Sequence, residues 1–98
     1  MAELRFTWDA KKASQNLKKH SVAFDEAQTV FYDGHALEIE DPDESTGEER
    51  FLMLGLSGTL RLLAVCHCVR SGGDEIRIIS ARKAVKAEQK QYWERLKR

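Results

Sequence analysis

The chain has 98 residues, 42% of them hydrophobic and 33% charged, which suits one small domain covering residues 1–98 and argues against disorder or low complexity. It has no N-terminal apolar segment of signal-peptide length, and no later apolar run approaches the roughly 18 residues of a membrane span. We therefore expect a cytoplasmic protein without membrane contact, in which Cys66 and Cys68 stay reduced as free thiols.

The formal net charge is zero, but the charged residues are segregated along the chain. Residues 1–24 carry a net charge of +3, residues 25–50 carry −9, and residues 51–98 carry +6. If the fold brings the two basic ends together, they form a positive patch that suits a nucleic acid or an acidic partner. Alternatively, the acidic segment balances the basic ends within the fold.

The hydrophobic pattern predicts a strand, two helices, four strands and a final helix. In the first strand, Leu4, Phe6 and Trp8 share one face. Asp9 suits the N-cap of a helix that reaches about Lys19. The later predicted elements are a helix from Val22 to Phe31, strands at Leu37–Glu40, Phe51–Leu56, Leu60–Val69 and from Ile76, and a helix after Ser80.

Turn residues separate these elements and indicate the fold class. Asp41-Pro42-Asp43 predicts a turn, and Ser45-Thr46-Gly47 extends it into a loop. Consecutive strands with short connections, set apart from the helices, predict an α+β fold. We expect an antiparallel sheet packed by helices, in the order β-α-α-β-β-β-β-α.

The stretch Ile76–Lys83 joins a β-branched strand to a basic segment. Arg77 lies among the isoleucines and Arg82 lies at the exit of the strand, an arrangement that suits the binding of an anion. The alternative is that Arg77 lies on a solvated face and that Arg82 opens a surface helix. Lys83 and Lys86 would then lie on the outer side of that helix.

Several types of enzyme site are excluded by motif. The chain has no glycine-rich phosphate loop before a helix and no serine nucleophile elbow. Cys66-His67-Cys68 supplies too few zinc ligands, because alternation along a strand turns His67 away from both thiols. We therefore expect no metal and no cofactor.

Metal-free cleavage of a phosphodiester needs a base, an acid and fixed cations. The chain contains all three residue types, although most proteins do. Arg50 and Arg77 would meet if they share a sheet face, whereas His20 also fits a plain cation at a helix C-terminus. The titratable candidates are His20, His35, His67, Glu48 and Glu49, and the cationic candidates are Lys19, Arg50, Arg77 and Arg82.

Short motifs run in order through nearly the whole chain. They are Phe6-x-Trp8-Asp9-x-x-Lys12, Asn16-x-x-Lys19-His20, Phe24-x-Glu26-Ala27, Val30-Phe31-x-Asp33, Glu48-Glu49-Arg50, and Ile76 through Ala84. Together they resemble the BrnT family, the ribonuclease toxins of BrnT/BrnA type II toxin-antitoxin systems. The last motif is the most distinctive.

The resemblance implies a RelE-like fold and a metal-independent endoribonuclease that cuts cellular RNA and so inhibits translation and growth. It also implies a BrnA-like antitoxin, through which alone the protein would reach operator DNA. Arg50, Arg77 and Arg82 would hold the phosphate or its transition state, with His20 and Glu49 as acid and base groups. The RNA-binding candidates are Lys19, His67, Lys83 and Lys86, with His67 also a reserve candidate for proton transfer.

The chain departs from the family pattern at several positions. Ser21 stands where the family usually has Gly, and Ala23 stands where a capping Ser is common. Cys68 and Val69 stand where Thr and Glu are more usual. Val69 leaves a second interpretation open: a catalytically weak module of the same fold that binds RNA or a partner. A DNA-binding regulator fits less well, because the outer side of the second helix is acidic.

Overall fold

The computed structural model describes residues 4–41 and 49–97. The predicted turn and loop from Pro42 to Gly47 lie outside the described residues, as does Glu48. The elements are β1 (Arg5–Thr7), α1 (Ala10–His20), α2 (Phe24–Thr29), a 3-10 turn (Val30–Tyr32), β2 (Leu37–Glu40), β3 (Phe51–Leu56), β4 (Leu62–Arg70), a second 3-10 turn (Ser71–Gly73), β5 (Glu75–Lys83) and α3 (Lys86–Leu96).

The strands form one sheet in the order β1-β5-β4-β3-β2. The four later strands pair antiparallel, but β1 pairs parallel with β5, with Phe6 opposite Ile76. The prediction of an antiparallel sheet is therefore wrong at β1. The physical reason is that two helices follow β1, and a strand without a hairpin connection is free to take a parallel neighbour.

Helix α1 has a well-formed start and a strained end. The Asp9 carboxylate accepts hydrogen bonds from the backbone N–H groups of Lys11 and Lys12, at 2.8 and 3.2 Å. At the other end, Ser21 takes a left-handed conformation with a φ of 59°. Residues other than glycine adopt this conformation at a cost in free energy. The next helix, α2, begins at Phe24, and its N-cap residue, Ala23, makes no side-chain cap hydrogen bond.

One face of the sheet carries the main hydrophobic cluster, which packs under α1 and α2, and residues of the opposite face, including Leu54 and Ala64, are buried as well. Alternate residues of β4 and β5 supply the sheet side, and α2 with its flanking residues supplies the other. The buried members of the core are Val22, Phe24, Ala27, Val30, Leu63, Val65, Ile76, Ile78 and Ala81.

A bulge in β5 decides which side chains share the opposite face. Cys66 pairs with Ser80 whereas His67 pairs with Ile78, so Ile79 is an extra residue in β5. The bulge reverses the alternation of side chains beyond it. Strand β5 also continues to Lys83, so the prediction of a helix directly after Ser80 is wrong, because this segment completes its ladder with β4.

Candidate functional site

Three arginines share the face of the sheet that points away from α1 and α2. Arg77 lies opposite Cys68 and Arg82 lies opposite Ala64. Cys68 and Ala64 lie an even number of residues apart along β4, so their side chains point to the same side of the sheet. Arg50 precedes Phe51, which lies opposite His67 on the helix side, so Arg50 points to the other side. We call the surface formed by Arg50, Arg77 and Arg82 the arginine face.

Arg50 lies at the β2 side of the arginine face. Its backbone carbonyl accepts a hydrogen bond from the N–H of Asp41 at 3.0 Å, which extends the pairing of β2 with β3. Its Nε is buried and has no hydrogen-bond partner among the described residues. A buried donor without a partner lowers the stability of the fold.

Arg77 lies near the middle of the same face. In the sheet, Arg77 is flanked by Thr7 on β1 and Cys68 on β4. Its strand, β5, lies two strand spacings, or roughly 10 Å, from β3, the strand that follows Arg50. The side chain is half-buried and makes no hydrogen bond or ion pair to any described residue. Its charge makes a minor contribution to the lowered pKa of Asp9, which is set mainly by the N–H groups of Lys12 and Lys11.

Arg82, unlike the other two arginines, has a fixed partner. Its Nη1 and Nη2 donate to the two carboxylate oxygens of Glu88 at 2.7 and 2.9 Å. This bond lowers the pKa of Glu88 and raises the pKa of Arg82. Glu88 also accepts from the N–H of Val85 at 2.9 Å, so one carboxylate both caps α3 and orients Arg82.

Asp41 places a carboxylate on the arginine face. The thiol of Cys66 donates to its Oδ2 at 3.1 Å. Burial, followed by this bond and the charge of Asp41, raises the pKa of Cys66 to about 12. Cys66 is therefore a protonated, packed thiol and not a nucleophile. From the sequence alone, Asp41 is predicted only to lie in a turn.

His20 and Lys19 lie at one border of the arginine face. They line a groove between α1 and the bulge of β5, together with Ser80, which belongs to the arginine face. Neither side chain makes a hydrogen bond to any of the three arginines within the described part of the chain. The structure therefore brings His20 near the rim of the face but not into contact with its cations.

The remaining surface candidates are spread around the sheet. Glu49 is exposed and lines a groove with Asp41 and Arg50, although alternation directs it to the opposite side from Arg50. Lys83 is exposed and lies opposite Leu63, on the helix side of the sheet. Lys86 is exposed at the first residue of α3.

His67 is buried away from the arginine face. Its exposed fraction is 0%, its Nδ1 contacts the carbonyl of Val65 at 3.1 Å, and its Nε2 contacts Glu38 at 3.2 Å. The ring of Phe31 packs edge-on against it at 4.8 Å. The expectation that His67 contacts RNA does not fit this position, because alternation turns its side chain into the core.

Asn16 positions the backbone of β5 at Ala81, a role that its place in a sequence motif does not reveal. Its amide exchanges two hydrogen bonds with the backbone of Ala81, at 2.8 and 3.0 Å, and donates a third to the carbonyl of Val22 at 2.9 Å. It thus completes the free edge of β5 directly beyond the bulge. A polar residue with apolar periodic neighbours in α1 was the available signal.

Glu88 was also missed, because the identity of its partner depends on tertiary structure. The available signal was its position three residues after Val85, which fits the glutamate of a capping box. No signal in the sequence predicts its pairing with Arg82, because the bulge in β5 decides which side of the sheet the Arg82 side chain occupies.

The described residues contain neither a cluster of metal ligands nor a membrane-spanning helix. Within residues 4–41 and 49–97, no three His, Cys, Asp or Glu side chains cluster in a way that could hold a metal ion. No helix in the same ranges is long and apolar enough to cross a membrane.

The fold and site define an α+β protein whose mixed sheet carries a cationic face suited to an anionic ligand. Residues 8–88 match the family model described as the ribonuclease toxin, BrnT, of type II toxin-antitoxin systems. The chain therefore belongs to the BrnT family of ribonuclease toxins, as its motifs predicted.

A solved structure shows a similar fold. The fold is similar to that of the Brucella abortus ribonuclease toxin BrnT, with a TM-score of 0.63, 21% sequence identity, and coverage of 85% of this chain and 99% of that chain. No curated protein sequence matches the chain. The predicted likeness to RelE stays a prediction.

Proposed function

We propose that this protein is a cytoplasmic endoribonuclease that cleaves cellular RNA without a metal ion and is neutralised by a BrnA-like antitoxin. The observation that carries the proposal is the arginine face, where the buried Nε of Arg50 has no hydrogen-bond partner, the Arg77 side chain bonds to no described residue, and Arg82 is oriented by Glu88. An RNA phosphate supplies the acceptors that these guanidinium donors lack.

The proposed reaction uses the RNA as its own nucleophile. The ribose 2′-oxygen bonds to phosphorus while the bond from phosphorus to the 5′-oxygen breaks, which gives a 2′,3′-cyclic phosphate and a free 5′-hydroxyl. A base takes the 2′-proton and an acid supplies a proton to the 5′-oxygen. The arginines stabilise the charge that develops on the phosphorane oxygens.

The acid and base candidates border the arginine face. His20 lies in the groove beside Ser80, and Glu49 lies in the groove beside Arg50. Lys19 and Lys86, both exposed near the ends of the face, would hold adjacent phosphates as point charges. Lys83 lies on the other side of the sheet and would contact only RNA that wraps around its edge.

Operator DNA would be bound only through the antitoxin, which the proposal treats as the DNA-binding partner. The outer residues of α2 support this division. Asp25 is exposed in its first turn, where its charge would repel DNA phosphates.

The test is cleavage of RNA by the purified protein in the presence of a chelator, compared with Arg50→Ala, Arg77→Ala and Arg95→Ala. Arg95 is an exposed arginine near the end of α3 and serves as the matched control. We expect a loss of about 100-fold at Arg50 and Arg77 and no loss at Arg95.

Two outcomes would contradict parts of the proposal. Cleavage that appears only when Mg²⁺ is added back would contradict the metal-free mechanism. RNA that is bound but left intact, with or without a metal ion, would favour the binding module suggested by Val69.

A further inference from the structure

A chain of aromatic rings runs along the helix side of the sheet, away from the arginine face. The centroid distances are 6.1 Å from Tyr32 to Phe6, 5.3 Å from Phe6 to Phe31, 4.8 Å from Phe31 to His67, and 6.1 Å from His67 to Phe51. His67 is the buried link in this chain, whereas the other four rings are exposed in whole or in part. We call those four rings the aromatic strip.

Val69 continues the aromatic strip across the end of the sheet. It lies opposite Ile76, which in turn lies opposite Phe6, so these three side chains form one row. Tyr32 is 70% exposed and Val69 is 43% exposed. Exposed apolar groups that adjoin in this way mark an interaction surface more often than isolated ones do.

The rim of the aromatic strip is acidic. Glu38 and Glu40 lie opposite Met53 and Phe51, so both side chains emerge on the helix side of β2. Glu38 and Glu49 line a groove of about 640 Å³ whose other lining residues are Phe51, Cys68, Val69 and Arg70. Arg70 is the single cation of that lining, against two carboxylates.

The negative charge of this rim indicates which class of partner the surface can bind. Carboxylates repel RNA phosphates, so the surface does not suit nucleic acid. Exposed aromatic rings beside carboxylates suit a protein segment that carries lysine or arginine next to apolar side chains, because the cations pair with the rim while the apolar groups cover the rings.

We propose that the aromatic strip and its acidic rim form the docking surface for a basic, apolar segment of the antitoxin, an inference that rests on the antitoxin partnership proposed above. The docking surface and the arginine face lie on opposite sides of the sheet. Substitutions at Val69 and Tyr32, which leave the three arginines in place, should therefore weaken antitoxin binding without removing the cations proposed to hold RNA.

The test uses the antitoxin encoded beside the toxin gene as the probe, and measures its affinity for the full-length toxin by calorimetry. Val69→Lys and Tyr32→Lys place an ammonium group on the strip. Val85→Lys is the matched control, because Val85 is an exposed valine at the start of α3, outside the strip. RNA cleavage by each variant, with and without antitoxin, is measured in parallel.

We expect Val69→Lys and Tyr32→Lys to weaken antitoxin binding by about 100-fold, because each would place an ammonium group where apolar side chains of the segment pack and would repel the cations of that segment. Both variants should still cleave RNA and should escape neutralisation, while Val85→Lys should behave like wild type. Tyr32→Phe, which keeps the ring, should retain most of the affinity.

Three results would overturn the inference in distinguishable ways. If wild type binds the antitoxin and both lysine variants bind equally well, the docking surface lies elsewhere. If Val85→Lys loses as much affinity as Val69→Lys, the effect is not specific to the strip. If wild type itself does not bind the antitoxin, the proposed partnership fails and the docking surface fails with it.

Discussion

Arg82 and Glu88 form a two-point ion pair that connects the end of β5 to the first turn of α3, with nitrogen to oxygen distances of 2.7 and 2.9 Å. The Glu88 side chain is 11% exposed, and the Arg82 side chain is 36% exposed. The pair therefore fixes an arginine at the border of the arginine face while leaving part of its guanidinium accessible to a ligand.

Substitution of Glu88 tests this positioning role. Glu88→Gln keeps the shape of the side chain but removes the charge that orients Arg82 and caps α3. We expect the free energy of unfolding to fall by about 1–2 kcal/mol, since solvent partly screens the pair. We also expect kcat for RNA cleavage to fall by about 10-fold while KM changes little, because a misplaced cation loses transition-state stabilisation.

Glu94→Gln is the control for Glu88→Gln, since Glu94 is exposed on the same helix. Urea unfolding and initial cleavage rates measured on both variants give the comparison. Equal kcat in Glu88→Gln and wild type would show that Arg82 needs no partner to function.

Asn16 is expected to be essential for the stability of the edge of β5. Asn16→Ala would leave the buried N–H and C=O of Ala81 without their present partners, at 3.0 and 2.8 Å. We expect a loss of roughly 2 kcal/mol or more in the free energy of unfolding. Gln15→Ala, at the exposed neighbouring position, should change stability by less than about 0.5 kcal/mol. Similar thermal midpoints for the two variants would refute the prediction.

Acid should destabilise the fold through Glu26. Hydrogen bonding to Arg61, opposed by burial and aided by Thr59 and Ser57, lowers the pKa of Glu26 from 4.5 to about 2. Because the folded-state pKa is depressed, the stabilisation is fully present above the unfolded pKa and disappears as pH falls from about 5 towards 2. We expect this residue to contribute about 1–2 kcal/mol after allowance for solvent screening.

Unfolding in urea at a series of pH values measures this acid dependence. Glu26→Gln should be less stable than wild type at pH 7 and should lose less stability on acidification. Parallel pH profiles for the two proteins would show that other carboxylates cause the acid sensitivity.

Ser21 offers a substitution that should stabilise the protein. Its φ of 59° lies in the left-handed region that glycine occupies without strain. We expect Ser21→Gly to raise the free energy of unfolding by about 0.5–1 kcal/mol. Ser14→Gly, in the exposed middle of α1, should lower it by about 0.5 kcal/mol. Thermal unfolding of both variants tests the opposite signs, and a lower midpoint for Ser21→Gly would refute the strain argument.

The sequence was sufficient for most of the secondary structure and for the family. Apolar residues at helical or alternating spacing predicted α1, α2 and the strands, because local periodicity reflects which side of an element is buried. Asp9 was recognisable as an N-cap, because a cap depends only on residues within one turn. The motif from Ile76 to Ala84 identified the family, because it is nearly contiguous in the chain.

Only the tertiary structure determined which residues pair with each other and which side of the sheet each side chain occupies. Arg77 and Arg82 have opposite parity, so simple alternation would separate them, and the bulge at Ile79 returns both to one side of the sheet. The parallel pairing of β1, the burial of His67 and the pairing of Arg82 with Glu88 all join residues from separate elements. Local patterns contain no information about such contacts, because distant segments meet only after the core has packed.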